Sequence, residues 1–227
     1  MNLSDVTLVS IYNENEALTH RAVRLSKAQC RFGGQYVRKV DLQKQGDYDY
    51  HMTCVFPVHL IQTSHALVIQ YDGYVLNANA WNPSWLEYDY IGAVWPWHPE
   101  HLGVGNGGFS LRSRRLMVAV RDLTERWSDA GWRNPMPDDV ITCHALRFQL
   151  EGEGFRFAPR TVAEAFSFER GTPKPKDTFG FHGLFNLPHI MPVDEFYRDF
   201  DPHLAQYVKD GTEYRETLDN YAKARAA

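Results

Sequence analysis

The chain has 227 residues, 44% hydrophobic and 23% charged, with a formal net charge of −4. That length suits one large α/β domain or two small ones. The charge leaves no basic footprint for nucleic acid, and no apolar run approaches the ~20 residues of a membrane helix. Three cysteines, Cys30, Cys54 and Cys143, are odd in number and far apart. They argue against a disulfide framework or zinc cluster and for a reducing, cytoplasmic setting. The polar start Met1–Asp5 leads straight into a strand pattern, so no signal peptide is expected.

Val6–Tyr12 reads as a first strand. Asn13 with Glu16 three residues on resembles a capping box, and Leu18, Ala22, Leu25 and Ala28 recur at helical spacing. Gly33-Gly34 is expected to end that helix and Gln35–Leu42 to form a second strand, giving a right-handed βαβ opening. Tyr48–Ile61 has the composition of a second helix, kinked or broken at Pro57. Ala66–Ile69 is a continuous apolar run, the pattern of a strand buried on both faces of a parallel sheet. Gln70-Tyr71-Asp72-Gly73 closes it with an acid and a turn residue. The first strand is followed by Tyr12-Asn13-Glu14-Asn15, not by a glycine-rich dinucleotide fingerprint, and no Walker-type loop occurs.

Pro83–Glu87 predicts a helical turn, and Val94–Pro99, with two prolines, a loop. Gly103–Arg112 is glycine-rich around Asn106 and then enters a strand at Phe109. Ser113 is placed to cap a helix with the apolar face Leu116, Val120, Leu123 and Trp127. Pro135–Asp139 carries the proline and acids of a helix start, with Ile141, Ala145 and Phe148 expected as its buried stripe and Gly152 and Gly154 as its end. Phe155–Ala158 reads as a short strand, Ala163–Phe168 as helix or strand, Gly171–Asp177 as a flexible loop and Thr178–Leu184 as ordered around His182. Two amphipathic pieces, Val193–Val208 and Glu213–Ala226, complete the chain.

Four features carry chemistry: Asp72 after the central strand, the Gly105–Gly108 loop, the acid pair Asp138-Asp139 and the late His182. Singly each has a plain structural reading, as a turn residue, a tight turn, a helix-start charge match and a packed histidine. In this order they resemble the GT-A class of nucleotide-sugar glycosyltransferases, and more closely a glycosyltransferase-like family found in bacteria and some eukaryotes. The resemblance rests on S-H-A-L-V-I-Q-Y-D-G-Y-V-L-N from Ser64, Y-D-Y-I-G-A-V-W-P-W-H from Tyr88 and V-G-N-G-G-F-S-L-R-S from Val104.

The resemblance implies a single α/β domain over residues 1–227, with a mostly parallel twisted sheet, helices on both faces and a helical extension over 185–227. It implies that Asp72, at the last acid of a DXD motif, and His182 hold Mn²⁺ or Mg²⁺. Asp139 would be the general base, and Asp138 would help bind acceptor or donor sugar. Gly107 and Gly108, with Asn106, would let the backbone approach the nucleotide-sugar. Gln70 stands where the first DXD acid is expected, so ribose contact there would come from an amide, beside Tyr71. Tyr12 and Asp41, at the ends of the first two strands, are candidates for base stacking and for base or ribose hydrogen bonding. Trp95 and Trp97 offer apolar faces to sugar rings, with packing against the sheet as the competing reading.

The expected activity is metal-assisted transfer of a sugar from a nucleotide donor, UDP-sugars first, to a carbohydrate or other hydroxyl acceptor, with inversion. The chemistry asks for these residue types. A divalent cation stabilises charge growing on a diphosphate leaving group, and a placed carboxylate takes the acceptor's proton. Two alternatives fit the same residues: a sugar- or nucleotide-binding protein without turnover, and a metal-dependent phosphohydrolase.

Overall fold

The computed structural model describes residues 1–42, 46–129, 136–170, 177–192, 194–196, 198–200 and 219. Strand β1 (Asn2–Tyr12), helix α1 (Glu16–Gln29) and strand β2 (Arg31–Lys39) form the opening βαβ unit, and β1 and β2 pair in parallel. The capping box is not made: Asn15 is the N-cap residue and has no side-chain cap bond. Asn13 instead donates from Nδ2 to the Leu42 carbonyl at 2.9 Å, tying the end of the first strand to the segment after the second. Gly33-Gly34 does not end the helix; both glycines lie inside β2. The physical reason is close approach of β1, because a Cβ on Gly33 would fall 1.9 Å from the Ser4 carbonyl oxygen. The pairing register shifts at that place, between Leu3 and Thr7.

The expected second helix is broken into pieces: α2 (Asp47–Tyr50), a π-helical turn (His51–Val55) and, past Pro57, a 3₁₀ turn (Val58–Leu60). Strand β3 (His65–Ile69) is buried at all five positions, as its unbroken apolar run requires. Strand β4 (Tyr90–Ile91) and strand β5 (Phe109–Ser113) follow. The sheet order is β2-β1-β3-β5-β4. Only β5 runs against the others, pairing antiparallel with both β3 and β4.

Helix α3 (Arg114–Asp129) starts as expected, with the Ser113 hydroxyl accepting from the Leu116 N–H at 3.1 Å. Helix α4 (Asp138–Val140) passes into a π-helical turn (Ile141–Ala145) and then into α5 (Arg147–Gly152). The wider turn moves the buried stripe to Ile141, Cys143, Leu146 and Leu150 and leaves Phe148 72% exposed, because periodicity of 3.6 does not survive an inserted residue. Pro135 lies outside the described residues. Phe155–Ala158 makes a single bridge, Phe157 to Tyr90, not a strand. The ambiguous segment is both things in turn: α6 (Arg160–Phe166), then β6 (Ser167–Phe168), which pairs in parallel with β7 (Gly180–Phe181).

Both faces of the sheet are covered. On one, Leu8, Leu67, Ile69, Phe109 and Leu111 pack with α1 and with an aromatic group containing Trp81, Trp85, Phe166 and Phe179. On the other, Val9, Ile11, Ala66 and Val68 meet Met52, Phe56, Ile61 and Met117 of α3. Beyond His182, Leu184–His189 is a 3₁₀ helix, and Phe196 and Phe200 join the first cluster. Most of the expected tail helices lie outside the described residues. Among the described residues, no helix is long and apolar enough to cross a membrane.

Candidate active site

In an open parallel sheet the ligand crevice lies at the carboxyl ends of the strands, where the order reverses. Here that place is between β1 and β3. A cavity of about 380 Å³ opens there, lined among others by Tyr12, Asn13, Glu14, Tyr48, Gln70 and Tyr71. Tyr12, Gln70 and Tyr71 thus share one wall system. Asp41 is exposed, and its neighbour Leu42 is in the wall. Asn13, Glu14 and Tyr48 had no role in the sequence reading. Tyr48 enters because its short helix lies near the acid pair; its hydroxyl is buried without a hydrogen-bond partner, although the Gln70 amide is close.

Beside this cavity the chain brings Asp72 and His182 together. The imidazole Nε2 stands 3.6 Å from Asp72 Oδ1 and 3.2 Å from Gln70 Oε1. Backbone contacts fix the pair, with Gly183 N–H donating to the Asp72 carbonyl at 3.1 Å and His182 N–H to the Phe168 carbonyl at 2.9 Å. The other ring nitrogen, Nδ1, stands 3.2 Å from Glu169 Oε1. Burial opposes charge on the imidazole, but Asp72, Glu169 and Asp139 outweigh it and raise His182 to about 9. Glu169 escaped the sequence reading because its proximity to His182 depends on the β6–β7 pairing.

The glycine loop fits tightly around these groups. A Cβ on Gly108 would fall 2.0 Å from His182 Nε2, and one on Gly107 would fall 2.9 Å from Asp138 Oδ1 and from an Arg112 nitrogen. The bare backbone therefore accommodates the site's own side chains. Asn106 has φ of 59°, in the left-handed region that asparagine tolerates better than most residues.

The acid pair is split by its partners. Asp138 is buried and paired with the equally buried Arg112 at 2.6 Å. Among the described residues Asp139 has no such cation; its oxygens accept from the Gly107 and Val140 N–H groups, each at 2.8 Å. Burial first, and then the Asp138 charge, push the Asp139 carboxyl up to about 6. Trp95 is buried with its ring over Gly105 and 5.0 Å from that of His144. Trp97 is 60% exposed, and the Arg170 guanidinium lies 5.8 Å from its ring centre.

Among the described residues no three His, Cys, Asp or Glu side chains group to hold an ion. Glu169 and Asp72 face opposite nitrogens of the imidazole and cannot serve one ion together. Asp72 and His182 nevertheless fit a cation that takes its remaining ligands from phosphate and water. Asp72 Oδ1 is buried with no hydrogen-bond partner, next to Nε2, an arrangement with an acceptor to spare.

A crystal structure of a glycosyltransferase involved in the glycosylation of the major capsid of PBCV-1 superimposes with a TM-score of 0.54, covering 78% of this chain and 92% of that one at 14% identity. At that identity the likeness is one of fold, and this protein has a glycosyltransferase-like fold. No curated protein matches the chain significantly. A family model spans the stretch from the cavity wall at Leu42 to the imidazole at His182, more than half of the chain, and the protein belongs to that family, described as "Protein of unknown function (DUF5672)".

Proposed function

We propose that the protein is a metal-assisted glycosyltransferase that moves a sugar from a nucleotide donor to a hydroxyl acceptor with inversion. The observation that carries the reading is the convergence of Asp72, His182 and the Gly107–Asp139 contact beside one cavity at the β1–β3 crevice. The cavity walls are aromatic and neutral polar with one acid, Glu14, a lining that suits a nucleoside better than bare phosphate. Asp72 and His182 would hold Mn²⁺ or Mg²⁺, and the imidazole favours Mn²⁺. Bound there, the ion would offset charge growing on the diphosphate as the glycosidic bond breaks.

Asp139 is the base. Its carboxyl lacks a cation partner, and a value near 6 leaves it ionised at neutral pH yet basic enough to take a proton. Asp138, paired with Arg112, adds its charge to the burial that raises Asp139. The exposed ring of Trp97 is the face available to an acceptor sugar.

The test is direct. Purified protein is incubated with UDP-sugars, Mn²⁺ and a panel of saccharide acceptors, and product is read by mass spectrometry. Transfer that disappears on chelation and in Asp72→Ala and His182→Ala supports the reading. Full-strength transfer in both variants removes the metal assignment. Release of free phosphate from simple phosphoesters would point to a phosphohydrolase instead.

A further inference from the structure

Strand β2 ends the sheet on one side, and among the described residues no strand pairs with its outer edge. Along a strand, successive backbone N–H and C=O groups point to alternate sides. Val40 N–H donates to the Tyr12 carbonyl at 2.8 Å, so alternation turns the Gln35, Val37 and Lys39 N–H groups away from β1. An open edge of this kind is a template for another strand, and proteins commonly guard it with lysine, proline or a bulge. β2 spans nine residues and contains no proline. Its register irregularity lies before Gln35, so the stretch from Gln35 to Lys39 is regular.

One face of this edge is basic. A groove of about 560 Å³ opens there, lined by His20, Val23, Arg24, Lys27 and Ala28 of α1 and by Gln35 of β2. Lys27 reaches across to the strand, donating from Nζ to Gln35 Oε1 at 2.9 Å. Arg24, on the same groove wall, is exposed. Glu16 partly offsets these charges, 3.8 Å from Lys39 Nζ and 3.9 Å from His20 Nε2. Cations thus gather here on a chain whose net charge is −4. The other face of the strand is largely apolar: Tyr36 and Val40 pack on the cluster of Met52 and Phe56, with the Arg38 guanidinium 6.0 Å from the Tyr36 ring centre.

We infer that the β2 edge is a docking site for an extended acidic segment of a partner protein, which adds as a further strand beside β2. In strand addition the backbone bonds give affinity and alternate side chains give specificity. The added side chains would alternate between the two faces. Those on the α1 side would meet Arg24, Lys27 and Lys39, which calls for acids; those on the other side would meet Tyr36, which calls for apolar groups. A second copy of this chain does not suit the edge. Antiparallel self-pairing centred on Gln35 sets Arg31 opposite Lys39, and like charges directly opposite are destabilising. The cations that repel basic strands admit an acidic one. This surface touches the proposed transfer site only at its border, where the Tyr12 hydroxyl lies 3.3 Å from His20 Nε2.

The probe is a fluorescein-labelled synthetic peptide of alternating glutamate and valine, followed by fluorescence anisotropy with the full chain. It should bind, with affinity falling as salt rises, and a lysine–valine peptide of the same length should not. Amide hydrogen exchange should slow at Gln35, Val37 and Lys39 in the complex. Arg24→Glu combined with Lys27→Glu should weaken binding ~10-fold or more. Gln35→Pro removes one outward donor at an edge position that accommodates proline and should weaken binding comparably, whereas Gln35→Ala should retain it. If Gln35→Pro does not fold, the acidic peptide N-methylated at its amides probes the same bonds from the partner's side and should bind ~10-fold more weakly. Absence of acidic-peptide binding overturns the inference. Equal binding of the methylated and unmethylated peptides also overturns it, because charge attraction alone would then suffice. Binding to phosphatidylserine-containing vesicles without binding to the peptide would overturn it in favour of a membrane surface.

Discussion

Two adjacent aspartates, identical in chemistry, acquire different properties from what reaches them. Arg112 neutralises Asp138, and Asp139 is left with N–H donors and a value near 6. The rate of transfer should therefore rise with pH through a value near 6. Asp139→Asn should remove that limb and cut turnover by ~10²–10⁴, with nucleotide affinity unchanged; a steady-state pH profile of both proteins checks it. Stability carries its own sign. The folded state prefers protonated Asp139, so its contribution is complete below the unfolded value near 3.8 and is lost as pH rises through about 6. Breaking the buried pair by Arg112→Met leaves Asp138 charged and alone. It should cost about 3–5 kcal/mol in urea unfolding. The acid pair is legible in the sequence as a helix start. Which of the two is free is not, because the deciding guanidinium comes from β5.

At the scale of elements, the strands buried on both faces were legible and the local interruptions were not. The unbroken apolar run Ala66–Ile69 marks a strand buried on both faces, and β3 is buried at every position. Gly33-Gly34 looked like punctuation and is a strand interior, because the neighbouring strand comes too close for any side chain. Phe148 fell on the wrong face through a π-helical turn that leaves no mark in the apolar pattern. The same close approach makes Gly108 a sensitive position. In Gly108→Ala the methyl group would meet His182 Nε2 at 2.0 Å and the ring would have to move. The expected cost in stability is about 1–3 kcal/mol, while misplacement of the imidazole should lower metal-dependent transfer by ~10² or more. Thermal unfolding and activity measured together separate the two effects.

The reversal of strand order between β1 and β3 sets where the whole molecule can bind a ligand. Both strands are visible in the sequence, but their adjacency is not, because the parallel pairing of β1 with β3 joins segments far apart in the chain, and the contribution of Tyr48 to the cavity depends on how α2 lies across it. A nucleoside diphosphate at 100 times its dissociation constant should stabilise the protein by about 2.7 kcal/mol. A thermal-shift series with and without Mn²⁺ should show that gain, and chelation should diminish it. No shift with any nucleotide would leave the cavity without its proposed occupant.

All five strands of the central sheet lie between Asn2 and Ser113, whereas Glu169 and His182 come afterwards, His182 112 positions beyond its contact Gln70. The late segment is moored to the early one: Leu76 and Asn77 both donate to the Phe179 carbonyl, and the Phe179 ring sits among Trp81, Trp85 and Phe166. During synthesis, the ribosome thus delivers the scaffold well before the imidazole that completes the site. The nascent chain can bury its sheet while still unable to assemble both proposed ion ligands. In refolding from urea, capture of Mn²⁺ should accordingly lag the recovery of secondary structure; simultaneous recovery would mean that the long-range closure is already in place when the sheet forms.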